Sequence, residues 1–157
     1  MSSVRYVIPD EPRATGLSRW TVDPMWPMFG LMLGGLWLAL PWFVFNGLAL
    51  GTPTRHREWL ALAAGLVGAI AMTLGVAHAA STGWIAGVEI RLALLSVVAV
   101  KLAMGYAVYV MQSRSFELWQ HFGGVARNGL LLVFSAFFVE RLLFERIDNV
   151  LVLLVLG

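Results

Sequence analysis

The chain contains the stretch WLALAAGLVGAIAMTLGVAHAASTGWIAGV at residues 59–88 and the stretch PMWPMFGLMLGGLWLALPWFVFNGLALGTPT at residues 24–54, and neither carries Asp, Glu, Lys or Arg. Each stretch is longer than the roughly 20 apolar residues that cross a bilayer core. The 157-residue chain is 59% hydrophobic and only 13% charged, whereas about 25% of residues are charged in a typical soluble domain. These patterns predict an integral membrane protein.

The apolar pattern predicts an all-α polytopic protein, built as an antiparallel bundle of four transmembrane helices. The predicted spans cover residues 28–50, 59–80, 88–111 and 125–144, within one membrane domain over residues 28–144. Residues 1–27 form a polar lead with Trp20 and Trp26, which suit the headgroup level. Residues 112–124 leave the membrane, and their aromatic spacing predicts a short interfacial helix between the third and fourth helices.

The tail, residues 145–157, begins with charged side chains and ends in an apolar run that is too short to span. The sequence leaves three alternatives open for it. The tail continues the fourth helix, forms a separate interfacial or re-entrant segment, or docks on another subunit.

Small residues predict how the helices pack, because they let helix backbones approach closely inside a bilayer. The second span carries a four-residue stripe of small side chains, and the first carries a GxxxG pair. Pro41 lies inside the first span and predicts a kink there. The predicted packing residues are Gly30, Gly34, Ala61, Gly65, Ala69, Thr73 and Ala77.

Lys101 lies near the middle of the third predicted span, where an unpaired ammonium group is costly. Two interpretations stand: a pair that locks helices together, or part of a transport path. Glu140 lies at a similar depth in the fourth span, so we expect a Lys101–Glu140 contact within the bilayer. Asn46 is the one strongly polar side chain of the first span, and it needs a partner.

The sequence predicts no catalytic, cofactor-binding or metal-binding residues. His78 is the one histidine expected to enter the membrane, whereas His56 and His121 lie in links at the opposite side, which argues against a haem held by two histidines. The spacing of His56 and His121 relative to nearby carboxylates is not diagnostic of a metal site. The chain has no cysteine, which excludes disulfides and thiol chemistry.

The eleven Lys and Arg residues are spread along the chain, which does not favour nucleic-acid binding. They are expected to set topology instead. With four spans, six arginines fall on the side of the termini and four on the other side, so the termini are predicted to be cytoplasmic.

One run resembles small, uncharacterised multi-pass proteins of bacterial inner membranes. It consists of Phe29-Gly30, Gly34-Gly35, Asn46-Gly47-Leu48 and Leu50-Gly51, followed by Pro53 before two arginines. In those proteins a glycine-rich span ends in an Asn and a Leu-Gly turn before a second span. The resemblance covers about a third of the chain and implies a bacterial inner membrane, but no activity; Pro41 departs from the pattern.

Three functions remain as hypotheses. The first is a non-catalytic membrane subunit, an accessory, scaffold or assembly partner that contacts the lipid bilayer and either other membrane subunits or a second copy of itself. The second is an oligomeric transporter or channel lined by Lys101, Glu140 and Asn46. The third is a haem- or quinone-associated membrane anchor that uses His78.

Overall fold

The computed structural model describes residues 16–145, 147 and 149–157, apart from the side chains of residues 137 and 140–144. This part of the chain forms six α-helices and a short 3-10 turn at Ser18–Trp20, and it contains no β-strand. The all-α prediction is therefore confirmed. The helices are α1 (Met25–Gly34), α2 (Leu36–Leu50), α3 (Arg55–Ser81), α4 (Val88–His121), α5 (Leu130–Phe144) and α6 (Val150–Leu156).

The first predicted span, residues 28–50, is wrong as a single helix, because α1 and α2 fold back on each other as an antiparallel hairpin. A continuous helix would separate residues 22 and 46 by about 36 Å at 1.5 Å per residue. Instead, the backbone N–H of Val22 donates to Asn46 Oδ1 at 3.0 Å. A Cβ placed on Gly30 would lie 3.2 Å from the Trp42 ring, which shows how tightly the two helices pack.

The reversal occurs at Gly35, which has φ 75° and ψ −166°. Only glycine adopts this conformation at low cost, because it has no Cβ. Helix α2 continues through Pro41, and the kink expected at Pro41 stays a prediction. The break in the helix is therefore at Gly35, the second glycine of the Gly34-Gly35 pair.

Helices α3 and α4 form the long antiparallel pair of the fold. They contain 27 and 34 residues, or about 40 and 51 Å of helix, and both are long and apolar enough to cross a membrane. A Cβ on Gly65 would overlap the Met104 side chain, and one on Gly68 would lie 3.2 Å from Val100. Within the predicted small-residue stripe, Ala69 and Thr73 are buried and Ala61 and Ala77 are half-buried.

The predicted interfacial helix at residues 112–124 is wrong, because α4 continues without a break to His121. Gln112, Ser115 and Phe116 are buried, so this end of α4 packs against the rest of the protein. Since no Gly or Pro occurs between residues 105 and 123, nothing in the sequence ends the helix earlier.

The structure contains two helices of membrane-spanning length among the described residues, whereas the sequence predicted four. Helix α5 has 15 residues and is about 22 Å long, shorter than a bilayer core of roughly 30 Å. The fourth predicted span, residues 125–144, is shortened because residues 125–129 are not helical.

The tail does not continue α5, which settles one of the alternatives left open by the sequence. Helix α6 is a separate element, and its Asn149 cap accepts hydrogen bonds from the N–H groups of Leu151 and Val152 at 3.0 and 3.4 Å. Side chains of α6 and α3 line a common apolar groove. The chain then reaches the hairpin tip, where a Cβ on Gly35 would overlap Leu156 O.

The hairpin covers one half of the α3–α4 pair. Its open end lies at the level of Gln112, because Gln112 Nε2 donates to Phe43 O at 2.8 Å. Its tip lies near Lys101, eleven residues or about 16 Å further along α4. A hydrophobic core lies between these levels and consists of Leu31, Leu36, Ala39, Phe43, Leu62, Ala69, Met104 and Val108.

One end of the bundle, here called the polar end, is formed by residues 16–24, 51–58 and 112–129. Arg127 connects two of these segments, because its backbone N–H donates to Thr21 O at 2.8 Å and its side-chain Nε donates to Arg19 O at 3.1 Å. The hairpin therefore begins and ends at the same end of the protein.

Candidate functional site

A cluster of three buried polar side chains lies at the polar end, just inside the hydrophobic core. Asn46 of α2, Glu58 of α3 and Gln112 of α4 are each fully buried, with 0% exposure. We call these three residues the polar cluster. Each comes from a different helix, so the cluster joins the hairpin to the α3–α4 pair.

Gln112 is at the centre of the polar cluster. Its Nε2 group donates to Phe43 O at 2.8 Å and to Glu58 Oε2 at 3.0 Å, which uses both amide hydrogens. Its Oε1 accepts from Asn46 Nδ2 at 3.2 Å. A single side chain thus connects all three helices, and its orientation is determined by the donors and acceptors around it.

The Glu58 carboxyl group is held by two donors. Oε2 accepts from Gln112, and Oε1 accepts from the Thr54 hydroxyl at 2.7 Å. A buried carboxyl group needs such partners, because its desolvation is costly otherwise. Within the described part of the chain these contacts are hydrogen bonds from neutral groups, so hydrogen bonding and not charge pairing holds Glu58 in place.

Gly47 provides the space that Glu58 occupies. A Cβ at this position would lie 2.6 Å from Glu58 Oε2 and 3.0 Å from Gln112 Nε2. Any larger residue would therefore displace the carboxyl group from its donors. This requirement explains why a glycine follows Asn46 in an otherwise apolar helix.

Asn46 has the partner that the sequence required. Its amide donates to Gln112, and its Oδ1 accepts from the N–H of Val22. The second contact satisfies a backbone donor just before α1 begins. Asn46 therefore closes the open end of the hairpin and connects it to α4.

Lys101 lies apart from the polar cluster, beside the hairpin tip. Its Nζ donates to the carbonyl oxygen of Gly157, at the end of α6. Leu31, Met32 and Gly35 line the same small cavity of about 300 Å³. The Glu140 side chain lies outside the described residues, so the Lys101–Glu140 contact stays a prediction.

The three histidines are not brought together. His78 is exposed in the last turn of α3, at the end of the bundle opposite to the polar end. His56 and His121 are exposed at the polar end, where His56 packs edge-on against Trp59. Among the residues that the structure describes, no three His, Asp or Glu side chains converge in a group that suits a metal ion.

Sequence reasoning missed Glu58 and Gln112 as interior residues, because it placed both in links outside the membrane. The available signals were indirect. Asn46 followed by Gly47 in an apolar helix indicates a polar contact at close range. The predicted links at residues 51–58 and 112–124 both carry polar side chains that could make this contact with Asn46. What the sequence does not show is that Glu58 and Gln112 already lie within α3 and α4.

No family model matches this chain, and comparisons with curated proteins and with solved structures find no match.

Proposed function

We propose that this protein is a non-catalytic subunit of a membrane complex, in which α3 and α4 cross the bilayer and the α1–α2 hairpin is re-entrant. In this proposal the polar cluster holds the hairpin against α4. The outer faces of α3 and α4 contact lipid and partner subunits.

The exposure of the two long helices supports a membrane environment. Only 22% of the most apolar window of α3 and 28% of that of α4 is buried inside the protein. Exposed side chains include Leu60 and Val67 on α3 and Leu92 and Leu95 on α4. A core helix of a soluble protein is mostly buried, and large exposed apolar patches are rare on soluble monomers.

The hairpin suits a re-entrant position. Non-helical backbone at membrane depth is tolerated where protein covers it. The turn at Gly35 is buried, and Leu156 and Gly157 lie against it. The proposed topology therefore has two crossings and one hairpin that enters and leaves at the polar end, in place of the four crossings expected from hydropathy.

The arginines indicate the orientation of this topology. The polar end carries five arginines among the described residues, whereas the α3–α4 link and first turn of α4, residues 82–91, carry one. Basic residues near span ends favour the cytoplasmic side. We infer that the polar end faces the cytoplasm, in the inner membrane that the bacterial resemblance implies. The five are Arg19, Arg55, Arg57, Arg114 and Arg127.

One observation carries the non-catalytic assignment. The donors and acceptors of the polar cluster are directed at one another and at backbone groups, so the cluster stabilises the packing of the hairpin. Catalysis requires polar groups that can reach a substrate, whereas these three side chains are fully enclosed. The surfaces left for function are apolar helix faces, which suit association within a membrane.

The test is the mass of the assembly extracted from the native membrane. We expect the tagged protein to stay in the membrane after an alkaline carbonate wash. In mild detergent, native mass spectrometry should then show it bound to other polypeptides or to further copies in a fixed ratio. A homogeneous monomer without partners contradicts the subunit role, and release by carbonate contradicts the membrane placement.

An oligomeric channel is the second candidate, and one observation favours it. Lys101 lies about midway along α4, beside the tip of the α1–α2 hairpin. Ionisable side chains within membrane-spanning helices often mark ion pathways. The predicted path from Asn46 to Lys101 is not continuous within one chain, because the hydrophobic core lies between them. The reconstituted protein should then conduct an ion flux across vesicles, and Lys101→Met should abolish this flux while the assembly stays unchanged. That result would favour the channel over a passive subunit.

A further inference from the structure

An apolar groove of about 500 Å³ lies between the hairpin and α5. Trp26 and Leu130 line it near the polar end, and Gly34 and Leu38 line it near the hairpin tip. The lining residue Phe134 is 60% exposed, so the groove opens on the surface of the protein. Its volume lies in the range of about 300–1,000 Å³ that is typical of small-ligand sites.

Two arginines lie at the polar end, and one of them, Arg127, precedes the groove-lining residue Leu130 by three positions. The guanidinium carbon of Arg127 lies 4.5 Å from the centroid of the Trp20 ring, and that of Arg19 lies 5.8 Å from it. Arg127 uses Nε to bond Arg19 O, and its two terminal nitrogens make no hydrogen bond with the described residues. Both arginines are exposed, so two positive charges are presented to the solvent.

Chain connectivity places Arg127 close to the groove. Leu130 follows Arg127 by three residues and lines the groove. Gly129 lies between them, and a Cβ there would be 2.6 Å from the Trp26 ring. This close contact brings the start of α5 against α1 within a few residues of Arg127.

We propose that this site binds an anionic phospholipid, with its phosphate at Arg127 and Arg19 and one acyl chain in the groove between α1, α2 and α5. The charge of the rim complements a phosphate group, because guanidinium groups bind phosphate through paired N–H donors. The lining complements a hydrocarbon chain, since all eight of its residues are apolar. The proposal rests on the membrane placement proposed above and adds a lipid class and a position to it.

A neutral apolar ligand, such as an isoprenoid quinone, would occupy only the groove, and its affinity would not depend on the two arginines. A zwitterionic lipid would fit the groove but gain less from two positive charges. The preference for net negative charge is thus the property that separates this proposal from its rivals.

The full-length protein in mild detergent provides the test, with phosphatidylglycerol and phosphatidylcholine of the same acyl chains as probes. Native mass spectrometry measures the dissociation constant of each lipid. We expect tighter binding of phosphatidylglycerol. Arg127→Gln should weaken it by about fivefold, the contribution of one basic residue near an anionic headgroup. Arg114→Gln removes an exposed arginine of the same end that does not line the groove, and it should change little.

A second pair of variants tests the groove itself. Leu130→Trp fills the groove and should weaken both lipids, whereas Leu131→Trp enlarges a neighbouring side chain that is 83% exposed and does not line it. Equal effects of Leu130→Trp and Leu131→Trp would overturn the proposal. Equal effects of Arg127→Gln and Arg114→Gln, no preference between the lipids, or retention of a quinone in their place would also overturn it.

One measurement needs no variant. Phosphatidylglycerol with a photoactivatable group on one acyl chain should crosslink to Leu33, Leu38 or Phe134. Labels spread evenly over the exposed faces of α3 and α4 would contradict a defined site. If the protein resists the carbonate wash but shows neither lipid preference nor local labelling, the lipid site fails while the membrane placement stands.

Discussion

Gln112 and Glu58, on two antiparallel helices, are both fully buried and joined by a hydrogen bond of 3.0 Å from Nε2 to Oε2. The same Nε2 also donates to Phe43 O in the hairpin. Two neighbouring helices and the α1–α2 hairpin are therefore coupled through one amide group. The predictions below test this coupling and the topology that it stabilises.

Replacing Gln112 by leucine should strongly destabilise the fold. The change leaves Glu58 Oε2 without its Gln112 donor and Asn46 Nδ2 without an acceptor, and it removes the additional hydrogen bond to Phe43 O. Each buried polar group that loses its partner costs about 1–3 kcal/mol, so we expect a loss of at least about 2 kcal/mol in the free energy of unfolding. Denaturant titration in detergent measures this, and Gln120→Leu, at an exposed position on the same helix, serves as the control. Matching stabilities for the two variants would argue against the role of the cluster.

Gly47→Ala should destabilise the protein because the added Cβ lies 2.6 Å from Glu58 Oε2. Overpacking of this kind costs about 1–3 kcal/mol. Gly75→Ala is the matched control, since a Cβ there meets nothing within 4 Å and alanine favours the helix by up to about 1 kcal/mol. The two substitutions should shift the unfolding midpoint in opposite directions, and a shift of the same sign would contradict the packing around Gly47.

The proposed re-entrant position of the hairpin predicts which residues lie on the same side of the membrane. The natural chain has no cysteine, so single-cysteine variants give unambiguous labelling. Cysteines at Gly16 and Pro53, both exposed positions, should react with an impermeant reagent from the same side of the membrane. Thr82→Cys, exposed at the far end of α3, should react only from the other side. A bundle of four crossings predicts instead that residues 16 and 53 label from opposite sides, so this experiment separates the two topologies.

Lys101→Met should release α6 without unfolding the protein. The substitution removes the desolvation cost of the buried ammonium group and also removes its hydrogen bond to Gly157 O. These two effects act in opposite directions on the free energy of unfolding. We expect faster hydrogen exchange over residues 150–156 and a global stability within about 1 kcal/mol of the original. Val98→Met, a half-exposed position one turn earlier on α4, is the control. Unchanged exchange in α6 would show that Lys101 does not hold it.

The predicted Lys101–Glu140 pair has its own test. A double-mutant cycle with Lys101→Met and Glu140→Gln measures the coupling energy between the two side chains. We expect a coupling of at least about 0.5 kcal/mol if they are in contact. Additive effects of the two substitutions would leave the Gly157 carbonyl as the partner of Lys101.

Several features of the fold follow from local patterns in the sequence. The apolar run after residue 58 predicts α3, and its small residues predict the close approach to α4, because both depend only on side-chain type and helical period. The need of Asn46 for a partner follows from its position in an apolar helix. The identity of this partner could not be predicted from the sequence. Gln112 is 66 residues away from Asn46, and the residues that directly follow Gln112 in the sequence are polar.

The sequence alone determined that the protein is helical and largely apolar, because composition and period decide whether a segment can satisfy its backbone within a helix. Tertiary structure decided that residues 25–50 turn back at Gly35 and do not form one continuous helix. A glycine permits both a helix and a reversal, and the choice depends on distant groups that meet the chain there. Asn46, Glu58 and Gln112 hold the open end of the hairpin, and Leu156 and Gly157 lie against its tip.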